Sequence, residues 1–227
     1  MTDYHVLRSW HRNAAPWSAA VRSGQIESRR LVTDAAVLDA IRRQGGATAL
    51  DIGCGEGWLS RALAAERYRV TGVDAVPALV ASARAAHPDG DYRVVSYEAI
   101  AAGELDLSVD IAVANFSLIG NEAVEGLVRR VPALLASGGA FIVQTLHPAT
   151  ARGDHPYTDG WRDGSWAGFS ADFTDPPPWY YRTVGGWIAL LTASGLRLRE
   201  LDEPLHPISG DPLSLILVAE AARGAER

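Results

Sequence analysis

Three glycines at alternate positions after a short apolar run restrict the fold more than any other feature of the sequence. Residues 47–52 have the composition of a buried strand, and Gly53, Gly55 and Gly57 follow them. Glycine permits a tight turn and lets a ligand approach the backbone without a Cβ in the way. Residues 58–65 then show helical spacing. Because the start of a helix offers free N–H groups and positive partial charge, this order predicts a site for an anionic ligand group.

Apolar runs alternate with amphipathic stretches along the rest of the chain. This alternation predicts an α/β fold with a doubly wound, mostly parallel sheet and helices on both faces. The predicted strands cover residues 47–52, 70–74, 92–96, 109–115, 140–146, 196–201 and 214–219. The predicted helices lie within residues 1–45, which Gly45-Gly46 ends, and at 58–65, 77–87, 121–135 and 184–191. Pro132 should kink or break the helix at 121–135, and Gly138-Gly139 should end it.

No repeat and no linker divides the chain, so we expect a single domain over residues 1–227. Its predicted parts are an N-terminal helical segment at 1–45, a cofactor-binding core at 46–146, a substrate lid at 147–181, and a C-terminal helix with two strands at 182–227. The segment 147–181 carries ten aromatic or histidine side chains among prolines, glycines and aspartates, without a regular period. It is too long for a plain connection, and such loops commonly cover binding sites.

The charge and cysteine content narrow the class of protein. The formal net charge is −6, which argues against a nucleic-acid backbone as the main partner, since that needs a basic face. One cysteine, Cys54, rules out an internal disulfide and fits a reducing compartment. The first twelve residues lack the apolar core of a signal peptide, and no stretch approaches the length of a membrane span. We therefore expect a cytoplasmic protein without a membrane partner.

All 21 basic residues are arginine. Without lysine, the chain has neither the Schiff-base lysine of a pyridoxal-phosphate enzyme nor the phosphate-binding lysine of a P-loop nucleotide triphosphatase. Both classes are therefore excluded.

An acidic residue follows the glycines at the distance that a nucleoside-binding fold uses. Asp74 ends the next predicted strand, where a carboxylate can hold a ribose diol. A dinucleotide-binding fold would need its third glycine where Trp58 stands, which makes a nicotinamide oxidoreductase a distant alternative. The spacing of the glycines, with Asp51 two positions before the first, resembles the class I S-adenosylmethionine-dependent methyltransferases. The resemblance covers residues 47–219 and is closest to the ubiquinone-biosynthesis-like group that acts on small molecules.

The resemblance implies a mostly parallel seven-stranded sheet and S-adenosylmethionine as the cofactor. It implies that Gly53, Gly55 and Gly57 bring backbone beside the methionyl chain of the cofactor, that Asp51 lies near its ammonium group, and that Asp74 binds its ribose hydroxyls. The ligand should lie at the carboxyl ends of the first and fourth strands.

Four further positions match the family pattern less closely. Ser96 and Tyr97 stand where the family often has an acid and a small residue at the adenine edge. Asn115 matches a residue whose backbone contacts the methionine part. Arg29 or Arg30 is expected to pair with the cofactor carboxylate, although a solvated helix face explains either arginine equally well.

The expected reaction is an in-line methyl transfer to a small-molecule acceptor, with water excluded from the site. His147, at the end of the fifth strand, is the first candidate for a base, with Tyr181 as a weaker one. A histidine satisfied by local hydrogen bonds is the competing interpretation of His147. No metal site is expected, since Asp110 and Asn115 lack a third ligand. The alternative function is a catalytically silent, cofactor-binding partner in a heteromeric enzyme.

Overall fold

Seven strands form the main sheet of the computed structural model, which describes residues 1–222. In chain order the strands are β1 (Thr48–Ile52), β2 (Arg69–Asp74), β3 (Asp91–Val94), β4 (Val109–Asn115), β5 (Leu135–Leu146), β6 (Gly160–Arg162), β7 (Trp179–Tyr181), β8 (Leu196–Asp202) and β9 (Ser214–Ala221). The order across the main sheet is β3-β2-β1-β4-β5-β9-β8, and β6 pairs with β7 in a separate hairpin. Strands β1 to β5 run parallel, whereas β9 is antiparallel to both β5 and β8. The predicted seven-stranded, mostly parallel sheet is confirmed.

Helices cover both faces of this sheet. They are α1 (Asp3–Arg22), α2 (Asp34–Gln44), α3 (Trp58–Ala65), α4 (Pro77–Ala86), α5 (Tyr97–Ala101), α6 (Glu122–Arg130), α7 (Pro148–Ala151) and α8 (Val184–Ala193). A π-helical turn, Arg29–Thr33, leads into α2. As the sequence predicts, Gly45 ends α2 with a positive φ of 72° and Pro77 begins α4.

The pleat of the strands divides the core into two layers. In β1, Leu50 and Ile52 pack with α6 and α8, while Ala49 faces α2 and α3. Neighbouring β4 alternates in the same way, with Ala112 on the first face and Ile111 on the second. Because both faces are covered, these strands are apolar throughout rather than alternating between apolar and polar residues.

The predicted helix break at Pro132 is confirmed, whereas the role predicted for Gly138-Gly139 is wrong. Helix α6 ends at Arg130, and Pro132 lies in a 3₁₀ turn, Val131–Ala133. Gly138-Gly139 do not end a helix, because β5 already begins at Leu135. The chain passes so close to β4 here that a Cβ on Gly139 would lie 2.9 Å from the carbonyl oxygen of Asp110. Close approach to a neighbouring strand, rather than helix termination, explains glycine at this position.

Helices α5 and α7 and the β6–β7 hairpin have no counterpart in the prediction. Helix α5 begins directly after Ser96, so β3 ends two residues earlier than expected. The segment 147–181 contains α7 and the β6–β7 hairpin, whose three-residue strands are too short to produce a visible period. Within residues 1–222, no helix combines the length and apolar character needed to cross a membrane.

Candidate active site

A cavity of about 450 Å³ opens at the carboxyl ends of the parallel strands. Gly53 after β1, Asp74 at the end of β2 and Asn115 at the end of β4 line it. The order of strands along the chain reverses between β1 and β4, and open α/β sheets bind ligands at this crevice. Helix α1 and parts of 147–181 supply the opposite wall, so the cavity has a glycine-loop end and an aromatic end.

The glycine loop is held by backbone hydrogen bonds to β2. The amides of Gly53 and Cys54 donate to the Val73 carbonyl at 2.8 and 2.9 Å. Gly53 and Gly55 line the cavity with φ of 71° and 57°, where a side chain is disfavoured. Gly57 is outside the lining, and a Cβ there would lie 2.9 Å from the Ala83 Cβ. Gly57 therefore permits close packing behind the loop, and its predicted contact with the cofactor stays a prediction.

Asp74 joins the glycine loop to the start of α4. Its Oδ2 accepts from the Gly55 amide at 2.9 Å, and its Oδ1 accepts from the Val76 amide at 2.8 Å. The carboxylate is buried, and the loss of hydration raises its pKa although both amides favour the charged form. Each oxygen keeps acceptor capacity beyond one amide. The same side chain can therefore order the loop and face a ligand.

Asp51 lies behind the glycine loop. It is buried, its Oδ2 accepts from the Ser60 hydroxyl at 2.7 Å, and it is not among the residues that line the cavity. Burial raises the pKa of Asp51 to about 6, and the hydrogen bond from Ser60 opposes this rise. Its predicted position near the cofactor ammonium group stays a prediction.

Of the two residues predicted at the adenine edge, Ser96 caps a helix and Tyr97 lines the cavity. Ser96 accepts from the Ala99 amide at 3.2 Å as the N-cap of α5 and lies outside the cavity lining. Tyr97 lines the cavity, and its hydroxyl donates to the Ser117 carbonyl at 3.1 Å. Burial raises the pKa of Tyr97, which therefore stays a neutral donor.

Asn115 has a polar group to offer a ligand. Its buried Oδ1 has no hydrogen-bond partner among residues 1–222. The next residue, Phe116, also lines the cavity and has a φ of 52°, an uncommon conformation for a bulky side chain. Unpaired buried oxygens and strained backbone are both costly, and both concentrate at functional sites.

Arg29 is the only member of the Arg29–Arg30 pair that lines the cavity. It begins the π-helical turn, and its Nε donates to Asp34 Oδ1 at 2.9 Å. Its guanidinium carbon lies 4.5 Å from the centroid of the Trp58 ring. These contacts hold a cation beside the glycine loop.

The two candidate catalytic residues lie in different surroundings. His147 is buried but is not part of the cavity lining, and its Nε2 lies 2.7 Å from Glu203 Oε1 while its Nδ1 accepts from the Ala149 amide at 3.2 Å. Local hydrogen bonds thus occupy both ring nitrogens. Tyr181 lines the cavity, and its hydroxyl donates to the Pro148 carbonyl at 2.8 Å. A catalytic role for either residue stays a prediction.

Aromatic side chains form the wall opposite the sheet. The lining includes Trp10, Trp17, Trp166, Phe169, Trp179 and Tyr180. The Trp10 ring lies 5.0 Å from Trp17 and 5.8 Å from Trp166, measured between centroids. The contribution of α1 is not part of the sequence-based prediction, although the seven-residue spacing of Trp10 and Trp17 places both on one helix face.

The strand ends separate two residues that were considered for a metal site. Asp110 lies near the amino end of β4, where its Oδ2 accepts from the amides of Ala47 and Thr48. Asn115 lies at the other end of the same seven-residue strand. The two side chains therefore cannot share one ion.

The glycine loop lies within a region of the chain that is similar to known methyltransferases. Residues 49–139 match the model of a methyltransferase domain family. A ubiquinone biosynthesis O-methyltransferase from Xanthomonas campestris is 36% identical over 110 residues, 47% of this chain and 46% of the relative. The chain thus spans about half the length of the curated relatives it matches.

Two solved structures cover more of the chain. An S-adenosylmethionine-dependent methyltransferase from Mesorhizobium loti is 26% identical with a TM-score of 0.60, over 80% of this chain and 95% of that one. The DhpI–SAH complex is 17% identical with a TM-score of 0.63, over 98% of this chain and 100% of that one. The second likeness shows shared architecture alone.

Proposed function

We propose that the chain is a class I S-adenosylmethionine-dependent methyltransferase, and that it transfers the cofactor's methyl group to a small-molecule acceptor. The observation that carries this proposal is the continuity of the cavity. One space joins the glycine loop after β1 to the aromatic wall formed by α1 and 147–181. A cytoplasmic setting, without nucleic acid or membrane as partner, is part of the same proposal.

The residues at the glycine-loop end fit the cofactor. A Cβ on Gly55 would have the Trp17 Nε1 as its nearest neighbour at 3.7 Å, an ordinary contact distance, so the backbone is not tightly packed here. Arg29 offers a cation for a carboxylate, and Asp74 offers acceptor capacity for ribose hydroxyls. The unpaired Oδ1 of Asn115 can accept from an ammonium group.

When bound, S-adenosylmethionine supplies a methyl group activated by its positively charged sulfur. The chain's own residues then have to align the acceptor with that methyl group and exclude water. The aromatic wall serves both needs, because Trp166 and Phe169 both line the cavity and pack against each other with centroids 5.5 Å apart. The faces of these rings attract a nearby cation, which favours the positively charged sulfur of the donor. Their apolar surface also favours contact with an apolar acceptor.

Calorimetry with S-adenosylhomocysteine tests the cofactor part of the proposal. We expect binding at the purified chain that NAD does not displace. Release of S-adenosylhomocysteine from S-adenosylmethionine in the presence of small phenols, amines and carboxylic acids tests the transfer. Binding without release from any acceptor would favour the silent-partner alternative, and absence of binding would refute both.

A further inference from the structure

Arg182 is a buried arginine in the lining of the cavity. It follows β7 directly and is only 4% exposed. Its guanidinium donates to the Gly120 carbonyl at 2.9 Å, and to the Asn121 carbonyl and Oδ1 at 3.3 and 3.2 Å. It also lies over the rings of Tyr180 and Trp187, 4.6 and 5.1 Å from their centroids. Neutral dipoles and ring faces therefore surround the charge.

No carboxylate among residues 1–222 forms an ion pair with Arg182. The acidic side chains whose charge acts on Arg182 have other contacts: Asp3 accepts from the amides of Asn121 and Ala123, and Asp159 accepts from Thr183. Glu125 is paired with Arg129. Burial lowers the pKa of Arg182, and the charges of Glu125, Asp159 and Asp3 oppose this fall without forming an ion pair with it. A buried charge of this kind is costly unless an anion approaches it.

We propose that Arg182 binds a carboxylate on the acceptor and thereby selects aromatic or apolar carboxylic acids as substrates. This inference rests on the proposed function, since it assigns the acceptor to the aromatic end of the same cavity. The guanidinium has five N–H donors, and its bonds to Gly120 and Asn121 use three of them, so two remain for a carboxylate. Trp179 and Tyr180 line the cavity beside it, so a ring attached to that carboxylate would lie between apolar faces.

The assignment gives Arg182 a role distinct from that of Arg29. Arg29 lies beside Trp58 and the glycine loop, whereas Arg182 contacts Gly120 and Asn121 beyond β4. Two cations at two ends of one cavity suit two separate anions, one on the cofactor and one on the acceptor.

The test compares carboxylates with their neutral amides in the presence of saturating S-adenosylhomocysteine. The probe pairs are benzoate and benzamide, phenylacetate and phenylacetamide, and indole-3-acetate and indole-3-acetamide. We expect at least one carboxylate to bind the wild-type chain tenfold or more tightly than its amide, as for one charge-assisted contact. Arg182→Gln should remove this preference and leave the affinity for the amide and for S-adenosylhomocysteine unchanged.

Arg162→Gln is the matched control. Arg162 also donates to backbone carbonyls, those of Pro156 and Thr158, and lies 5.1 Å from the centroid of Tyr181, but it is outside the cavity lining. The control should keep the carboxylate preference. If no carboxylate binds the wild-type chain more tightly than its amide, the proposal is wrong, whether or not Arg182→Gln folds. If S-adenosylhomocysteine itself does not bind, the proposed function fails first.

Discussion

Asn13 and Thr174 exchange a pair of hydrogen bonds that fastens the segment 147–181 to α1. The Thr174 amide donates to Asn13 Oδ1 at 2.9 Å, and Asn13 Nδ2 donates to the Thr174 carbonyl at 2.7 Å. Asn13 is fully buried. Next to this contact, Asp175 accepts from Arg12 at 2.8 Å. Since other residues of α1 and of this segment line the same cavity, we expect α1 and the segment to open and close together.

Asn13→Ala should therefore loosen the wall. Both hydrogen bonds to Thr174 are lost, and each group left unsatisfied costs about 1–3 kcal/mol. Hydrogen exchange of amides in 166–175 should become faster in the variant and slower again when S-adenosylhomocysteine and an acceptor analogue bind. Ser18→Ala is the control on the same helix, because the Ser18 hydroxyl donates only to the Ala14 carbonyl within α1. Equal exchange in Asn13→Ala and the wild-type chain would refute this coupling.

Replacing Asp74 should weaken cofactor binding. Asp74→Asn keeps one oxygen acceptor for the Gly55 or Val76 amide but removes the negative charge at the cavity. A charged hydrogen bond contributes about 1.5–3 kcal/mol, so calorimetry should show at least tenfold lower affinity for S-adenosylhomocysteine. Asp91→Asn, which affects an exposed carboxylate paired with Arg93, should bind as the wild-type chain does. Unchanged affinity in Asp74→Asn would end the ribose assignment.

Gly55→Ala, compared with Gly195→Ala, distinguishes the stability lost through backbone strain from the loss of cofactor binding. Its φ of 57° makes alanine cost about 1–2 kcal/mol in stability. Gly195 has a similar φ of 76°, with no atom within 4 Å of an added Cβ, so Gly195→Ala should cost about as much. Only Gly55→Ala should lose the rise in melting temperature that S-adenosylhomocysteine produces. A normal rise in that variant would show that the loop does not hold the cofactor.

The cofactor end of the site follows from local sequence, whereas the acceptor end does not. Gly53, Gly55 and Asp74 are close to one another because parallel strands end at the same edge of a sheet, and the strand pattern is visible in the sequence. His147 was predicted from the same rule, yet its ring turns to Glu203. Strand position fixes where a backbone ends, but not which way the next side chain points.

Long-range contacts supply the rest of the cavity. The rings of Trp10 and Trp166 are in contact although 156 positions separate them in the sequence. Arg182 is held by a hydrogen bond to the Gly120 carbonyl, which follows β4. No local period marks such pairs, because they depend on how α1 and 147–181 fold over the sheet. Gly138-Gly139 illustrates the same limit, since glycine at a helix end and glycine beside a neighbouring strand look alike in sequence.

Burial of Asp51 couples the stability of the glycine loop to pH. Its pKa is about 6 in the folded chain against an ordinary value of 3.8, because the buried carboxylate loses hydration. Between these values the folded state binds more protons than the unfolded state, so stability falls as pH rises from about 4 to about 6. Above about pH 7 both states are ionised at this position and its contribution is constant. Asp51 therefore destabilises the folded chain at neutral pH.

Asp51→Asn should remove this dependence. The free energy of unfolding of the wild-type chain, relative to the variant, should fall by about 2–3 kcal/mol between pH 4 and pH 7. Urea denaturation of both chains across this pH range measures the difference in their free energies of unfolding. Other carboxylates that titrate equally in both chains do not contribute to this difference. Ser60→Ala removes the hydroxyl that favours the charged form, so it should raise the folded-state pKa and extend the fall in stability to higher pH. A difference between wild type and Asp51→Asn that does not change with pH would mean that Asp51 keeps its ordinary pKa in the folded chain.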